Sequence, residues 1–239
     1  MDVKKTTAKE FMINITGRNA LVTGSSRGVG QQIAIGLASK GCNLILHSRT
    51  KNGCADTKAL LKEYDVLVYS VYGELSQEKS VNQVIDQVKA LKVDVDIIYN
   101  NAGMMVPYQE EIWNHSWESW MTSMKTNVFS LYTICGAFVP AMAERGFGRV
   151  VNLISGINET PELAPYGASK WAVIKLTEDL ASKYANTNVK INALDPGWLR
   201  TDMGSQDAPN PVEAVLPGAL VPALLEEDGV SGEAFRALE

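Results

Sequence analysis

The chain is poor in the residues that metal and disulfide chemistry use. Its 239 residues include 2 His and 3 Cys. Cys42, Cys54 and Cys135 are odd in number and lack CxxC spacing, and His47 and His115 are the only histidines. No metal-ligand set assembles at the usual spacings, so no metal is expected. Three reduced thiols suit a cytoplasmic protein. Basic charge is also in deficit: 22 Lys and Arg stand against 27 Asp and Glu, a net charge of −5. A polyanion wants the opposite sign, so neither nucleic acid nor an anionic membrane face is an expected partner. Long apolar runs are missing as well, the longest falling far below the roughly 18 residues of a membrane helix. Met1–Glu10 is polar and Lys-rich, without the apolar core of a signal peptide. No repeat, low-complexity tract or Ser/Gly linker divides the chain.

What is present is ordinary for a soluble globular protein, with 46% hydrophobic and 21% charged residues. The length fits a single domain over residues 1–239, with 1–16 as an N-terminal extension. Short apolar runs at Ala20–Val22, Leu44–Leu46, Val66–Tyr69, Ile97–Ile98, Val150–Ile154 and Val189–Leu194 read as buried parallel strands. Between them lie helical patterns. Gln31–Lys40 is one, and Val81, Val84, Ile85, Val88 and Leu91 form another. A longer one runs Trp117, Trp120, Met121, Met124, Val128, Leu131, Cys135, Phe138, and Pro140 should kink or end it. Strand–helix alternation implies an α/β fold, a doubly wound Rossmann-type domain with a parallel sheet of about seven strands and helices on both faces. In such sheets ligands bind beyond the carboxyl ends of the strands, at the topological switch point.

The chemistry-bearing motifs follow strands. After the first comes Thr23-Gly24-Ser25-Ser26-Arg27-Gly28-Val29-Gly30, then a helix. Glycines there permit positive φ and close backbone approach to a pyrophosphate seated on a helix N-terminus. The spacing is GxxxGxG rather than GxGxxG. After the second strand come Ser48 and Arg49, where an NAD site commonly places a carboxylate for the ribose hydroxyl. Ser48 can donate to a 2′-phosphate, Arg49 can fork onto it, and Arg27 adds a second cation. The expected cofactor is NADP(H).

Tyr166 and Lys170 are four apart and share a helix face, and Ser155 stands at the carboxyl end of the preceding strand. An ammonium about 4 Å from a phenol brings its pKa from about 10 toward 7, where general acid–base transfer is effective. Ser155 would donate to a substrate oxygen as alkoxide charge develops. A surface Tyr–Lys pair would carry no such role; the glycine loop upstream argues for the catalytic reading.

Together these residues resemble the short-chain dehydrogenase/reductase family, from about Gly17 to the end. The resemblance rests on Thr23-Gly24-xxx-Gly28-x-Gly30, Asn100-Asn101-Ala102-Gly103, Asn127, Ser155, Tyr166-xxx-Lys170 and Pro196-Gly197-xxx-Thr201. It implies that Asn101, Ala102 and Gly103 close the fourth strand against the adenosine side of the cofactor. It also implies that Asn127 kinks the long helix and holds a water in a relay through Lys170. Tyr166 would be the acid–base and Ser155 the carbonyl anchor. Pro196, Gly197, Leu199 and Thr201 would hold the nicotinamide and its phosphates. Glu74 stands where the family more often has Asp near the adenine ring, and Leu75 beside it would add a backbone hydrogen bond. The Ser155–Tyr166 connection is slightly shorter than usual. A homodimer or homotetramer built from the long helices and last strand is also implied.

The substrate side carries a weaker pattern. Met104, Met105, Trp198 and Met203 follow the cofactor motifs and are candidates for an apolar pocket. Residues 198–226 form the substrate-side lid region, with Gly204–Pro211 short and polar, a helix over Val212–Glu226 and a last strand near Glu233–Ala237. This predicts an open mouth. Ile112–Met121 is a candidate to cap the pocket or to pack on the sheet, and packing is the favoured expectation. The resulting expectation is a reductase interconverting a ketone and a secondary alcohol, with a bulky or cyclic, steroid-like carbonyl favoured. A sugar or polyol, a 3-oxoacyl thioester, a nucleotide-sugar epimerase and a catalytically silent NADP(H) sensor are the alternatives.

Overall fold

β1 (Asn19–Val22) turns Ala20 and Val22 to one side and Leu21 to the other, and all three are fully buried. The same alternation runs through β2 (Asn43–Ser48), where Leu44 and Leu46 face one core and Ile45 the other. A strand apolar on both faces must lie between two layers, which is why the short runs in the sequence are not alternating. The structure, a computed structural model, describes residues 12–239. Its seven strands form one parallel sheet in the order β3-β2-β1-β4-β5-β6-β7. The others are β3 (Val68–Tyr72), β4 (Ile97–Asn100), β5 (Gly148–Leu153), β6 (Val189–Asp195) and β7 (Ala234–Arg236). The order reverses between β1 and β4, and the loops that follow those two strands meet there.

Among the described residues, six α-helices flank the sheet. On one face α1 (Gly28–Ala38) packs Ile33, Ala34 and Leu37 with Val215, Ala219 and Leu220 of the C-terminal segment. α2 (Ala55–Leu60) is a short helix beside α1. The other face is covered by α3 (Glu78–Ala90), α5 (Ser130–Glu144) and α6 (Ala164–Lys183). α3 buries Val81, Val84, Ile85 and Val88, as its spacing predicts. α4 (Trp117–Met124), capped by the Ser116 hydroxyl, packs on α6.

Three local expectations need correction. The stretch 212–226 is no α-helix but two 3₁₀ turns, Val212–Val215 and Gly218–Ala223. Pro217 and Pro222 supply no N–H for a continuous helical ladder. Pro140 does not end α5, which runs on to Glu144. Finally, Trp113 and Trp117 are 88% and 80% exposed rather than packed on the sheet. Trp113 lies in a separate 3₁₀ turn, Ile112–Asn114, whereas for Trp117 the cause is a π-turn, Lys125–Phe129, between α4 and α5. Its extra residue rotates the helix face, so the stripe from Val128 onward is buried. Before it, Ser123 faces inward and the tryptophans of α4 face out. The helical run Trp117–Glu144 is long and apolar enough to cross a membrane by length and composition alone; its most apolar window is 56% buried in the domain.

Of the expected extension, residues 1–11 lie outside the described residues. Met12 bridges Leu225, and Ile13 N donates to Leu224 O at 3.0 Å, tying this end to the C-terminal segment.

Candidate active site

The loops that follow β1 and β4 are stitched together by side chains. Thr23 Oγ1 donates to Tyr99 O and accepts from Ala102 N at 3.0 Å, while Asn101 Nδ2 donates to Thr23 O at 2.8 Å and Gly24 O at 3.1 Å. Gly24 has φ +64°, and a Cβ on it would lie 2.9 Å from Ala102 Cα. A Cβ on Gly30 would collide with Asn101 Nδ2 and Gly24 O. The GxxxGxG spacing is thus what lets two loops close on one another. α1 begins at Gly28 with no side-chain cap on its first amides, which leaves them for a ligand.

A cleft of about 630 Å³ runs from this turn across the carboxyl ends of the strands, within the range of small-molecule sites. Gly24, Ser26, Arg27, Gly28, Val29 and Gly30 line its first part. Ser48 and Arg49, then Glu74 and Leu75, form the wall beyond β2 and β3. Asn101, Ala102, Gly103 and Met104 line it beyond β4, and Tyr166, Lys170, Pro196, Thr201 and Met203 at the far end. The backbone-lined cradle, with room that only glycine leaves, fits a dinucleotide phosphate group.

Charges along the cleft are unevenly committed. Arg27 Nε lies 2.7 Å from Asp202 Oδ2, so this guanidinium bridges the glycine loop to the segment after β6. Arg49 is exposed. Ser48 is nearly buried and its Oγ donates to Thr50 O at 2.8 Å. Glu74 Oε1 accepts from Ser76 N at 3.1 Å, so the carboxylate folds back onto its own loop.

At the far end Tyr166, the third residue of α6, packs with Val106 and Leu163, and Met105 lies against that cluster. Burial raises its pKa above the ordinary phenol value, the Ser155 hydroxyl pulls it down and the Asp195 carboxylate pushes it up. The expectation of a value near 7 does not hold here, because burial is the largest influence on the phenol. Lys170 is itself buried, its Nζ donates to Leu153 O at 2.7 Å, and burial lowers its pKa to about 8. Ser155 Oγ accepts from Ile157 N at 3.2 Å, just beyond β5. Asn127 sits in the π-turn, where its Oδ1 accepts from Met104 N at 2.8 Å and its Nδ2 donates to Met104 O and Ser169 Oγ. It clamps the loop after β4 to α6. A Cβ on Gly103 would lie 3.3 Å from Asn127 Oδ1 and 3.4 Å from Lys170 Nζ.

Not every expected residue reaches the cleft. Asn127 is buried behind Gly103 and Met104, Ser155 is half-buried beside Tyr166 without itself lining the cleft, Leu199 is buried in the core, and Gly197 packs toward Leu238. Trp198 is 57% exposed and its Nε1 donates to Gly204 O at 2.6 Å. Met105 belongs to the Tyr166 cluster. Conversely, the reading overlooked His47, Thr122, Thr126, Ile154, Arg200, Asp202 and Gln206, all of which line the cleft. Thr122 and Thr126 are four apart on the long helical run, a spacing that was there to be read. Asp202 became visible only through its contact with Arg27.

Residues 18–211 match the family model for short chain dehydrogenases. The 3-oxoacyl-[acyl-carrier-protein] reductase of Haemophilus influenzae is 33% identical over 190 residues, 78% of this chain and 76% of that one. The gluconate 5-dehydrogenase of Gluconobacter oxydans is 32% identical over 199 residues, 80% of this chain and 75% of that one. Among solved structures, a 3-oxoacyl (acyl-carrier-protein) reductase from Agrobacterium tumefaciens with NADP bound superposes with a TM-score of 0.85 at 26% identity, covering 93% of each chain.

Proposed function

The chain belongs to the short-chain dehydrogenase family and is an oxidoreductase acting on CH–OH/C=O groups of small molecules, and from that premise we propose an NADP(H)-dependent reductase that interconverts a ketone and a secondary alcohol. The observation that carries this reading is a buried Tyr166, one helical turn from a buried Lys170, at the end of a cleft that begins in the glycine turn. When bound, the nicotinamide supplies the hydride. Ser155 holds the carbonyl oxygen, and Tyr166 gives it a proton as negative charge develops there. A phenol that burial keeps protonated is suited to that direction. Lys170 is the counter-charge for the phenolate that remains. Asn127 fixes the Gly103–Met104 segment against α6, and so the wall on which the ring of the cofactor would rest.

Preference for the 2′-phosphate follows from the Ser48–Arg49 pair, with no carboxylate beyond β2 to repel it. Arg49 is the first cation for it, since Arg27 already faces Asp202. The NADP-bound relative supports the same choice. Pro196, Gly197, Leu199 and Thr201 would support the nicotinamide end, and Glu74 and Leu75 the adenine end.

For the substrate, a neutral and largely apolar carbonyl of some bulk, cyclic or steroid-like, fits best. The segments 104–116, 155–163 and 198–207 carry Glu110, Glu111, Glu159, Glu162, Asp202 and Asp207. Their one cation, Arg200, donates to Ala208 and Pro209 carbonyls at 3.0 Å. Of these only Asp202, paired with Arg27, and Arg200 line the cleft, so the acidic balance of the flanking segments disfavours an anionic substrate through its long-range field. The names of the relatives favour the second reading, a 3-oxoacyl or sugar-acid substrate. A homodimer or homotetramer is the proposed assembly, with Tyr132 and Trp171 exposed on the long helices, and the cytoplasm the proposed location. NADPH consumption against a panel of cyclic, steroid, sugar, sugar-acid and 3-oxoacyl ketones tests the reading. Neutral cyclic ketones should lead it; turnover confined to the anionic members would select the second reading.

A further inference from the structure

His47, the next-to-last residue of β2, is tied to two loops that line the cleft from different strands. Its Nδ1 lies 3.1 Å from Gly24 N in the glycine turn, and its Nε2 lies 3.0 Å from Gly73 O in the loop after β3. An amide N–H only donates and a carbonyl only accepts, so Nδ1 is the acceptor, Nε2 carries the proton and the ring is neutral. The side chain is buried. Its backbone is held too: His47 N donates to Ser25 Oγ, and Ser25 N donates to His47 O, both at 3.0 Å. With Gly24 O taken by Asn101, both backbone polar groups of Gly24 are satisfied inside the protein. On the other side Gly73 leads directly into Glu74 and Leu75, whose loop is fastened to α3 by Glu74 N donating to Ser80 Oγ at 2.7 Å.

We propose that His47 is a positioning residue for the dinucleotide: its neutral imidazole fixes the separation between the Gly24 turn and the Gly73–Leu75 loop, and with it the part of the cleft that receives the cofactor. The proposal rests on the NADP(H) reading above. It assigns His47 no contact with the reacting atoms. Burial lowers its pKa to about 4, with the Gly73 carbonyl and the Glu74 carboxylate pulling the other way, so the required neutral tautomer is the resting form at neutral pH.

Three substitutions separate the two bonds. His47→Asn retains an acceptor where Nδ1 stands, His47→Gln retains a donor where Nε2 stands, and His47→Leu has neither. NADPH affinity is read by fluorescence titration, with thermal midpoints and, at saturating NADPH, the KM for a ketone measured on the same samples. His47→Leu removes the side-chain partners of Gly24 N and Gly73 O, and the affinity should fall by about 10- to 100-fold. His47→Asn should recover most of that loss, and the ketone KM at saturating NADPH should move far less than the cofactor affinity. Wild-type affinity in His47→Leu would overturn the proposal. So would a loss that tracks the lowered thermal midpoint and is not relieved in His47→Asn. Failure of the wild-type protein to bind NADP(H) would instead overturn the nucleotide reading itself.

Discussion

The Lys170 ammonium stands 5.8 Å from the centre of the Tyr166 ring, on the same face of α6, with both side chains buried. Neither group has its solution properties there. Burial favours the protonated, neutral phenol and disfavours the charged ammonium.

That burial has a stability consequence. Lys170 titrates near 8 rather than at 10.5, so its contribution is complete above about pH 10.5 and is lost as the pH falls toward 8. At neutral pH the buried charge is therefore destabilising. Lys170→Met should gain about 1–3 kcal/mol at pH 7 while losing turnover. Melting curves at pH 7 and near pH 10 check this: the advantage of the variant should shrink at the higher pH.

Cofactor preference should turn on the end of β2. Ser48→Asp places a carboxylate where a 2′-phosphate would lie, and should invert the NADPH/NADH preference. Arg49→Ala should weaken NADPH by about tenfold, with little effect on NADH, since a charge-assisted bond is worth about 1.5–3 kcal/mol. Titrations with both nucleotides measure it; unchanged NADPH affinity in Ser48→Asp would remove the assignment.

The buried imidazole predicts an acid weakness. His47 is held near 4 against an ordinary 6.5, so its stabilising share is full above about pH 6.5 and declines as the pH falls toward 4. Wild-type protein should therefore lose more stability between pH 6.5 and 4.5 than His47→Gln does, the difference reaching at most about 3 kcal/mol. Parallel slopes in denaturant titrations of the two proteins would contradict it.

Gly30 tests the cradle. A methyl there has no room beside Asn101 and Gly24 O, so Gly30→Ala should cost about 1–3 kcal/mol of stability and abolish nucleotide binding, read by melting and by titration.

The sheet, its helices and most of the cleft were legible because they follow from periodicity and from glycines at turns. Val81, Val84, Ile85 and Val88 mark the buried side of α3, and Gly24 and Gly30 mark where two loops touch. The tryptophans of α4 were misread because a single π-turn at Lys125–Phe129 changes the phase of the stripe, and nothing in the spacing of apolar residues announces it. The role of His47 was invisible for a related reason: its partners are the amide of Gly24 and the carbonyl of Gly73, groups that every residue possesses. Asp202 likewise gains meaning only opposite Arg27.

The most direct test of the account compares wild-type protein with Tyr166→Phe, measuring NADPH binding and ketone-dependent NADPH consumption on the same preparations. The variant should bind NADPH as wild type does and lose turnover by about 10²- to 10⁴-fold, the share of a positioned general acid. Turnover within a few-fold of wild type in Tyr166→Phe would contradict the proton-transfer role of Tyr166 and the reductase mechanism built on it.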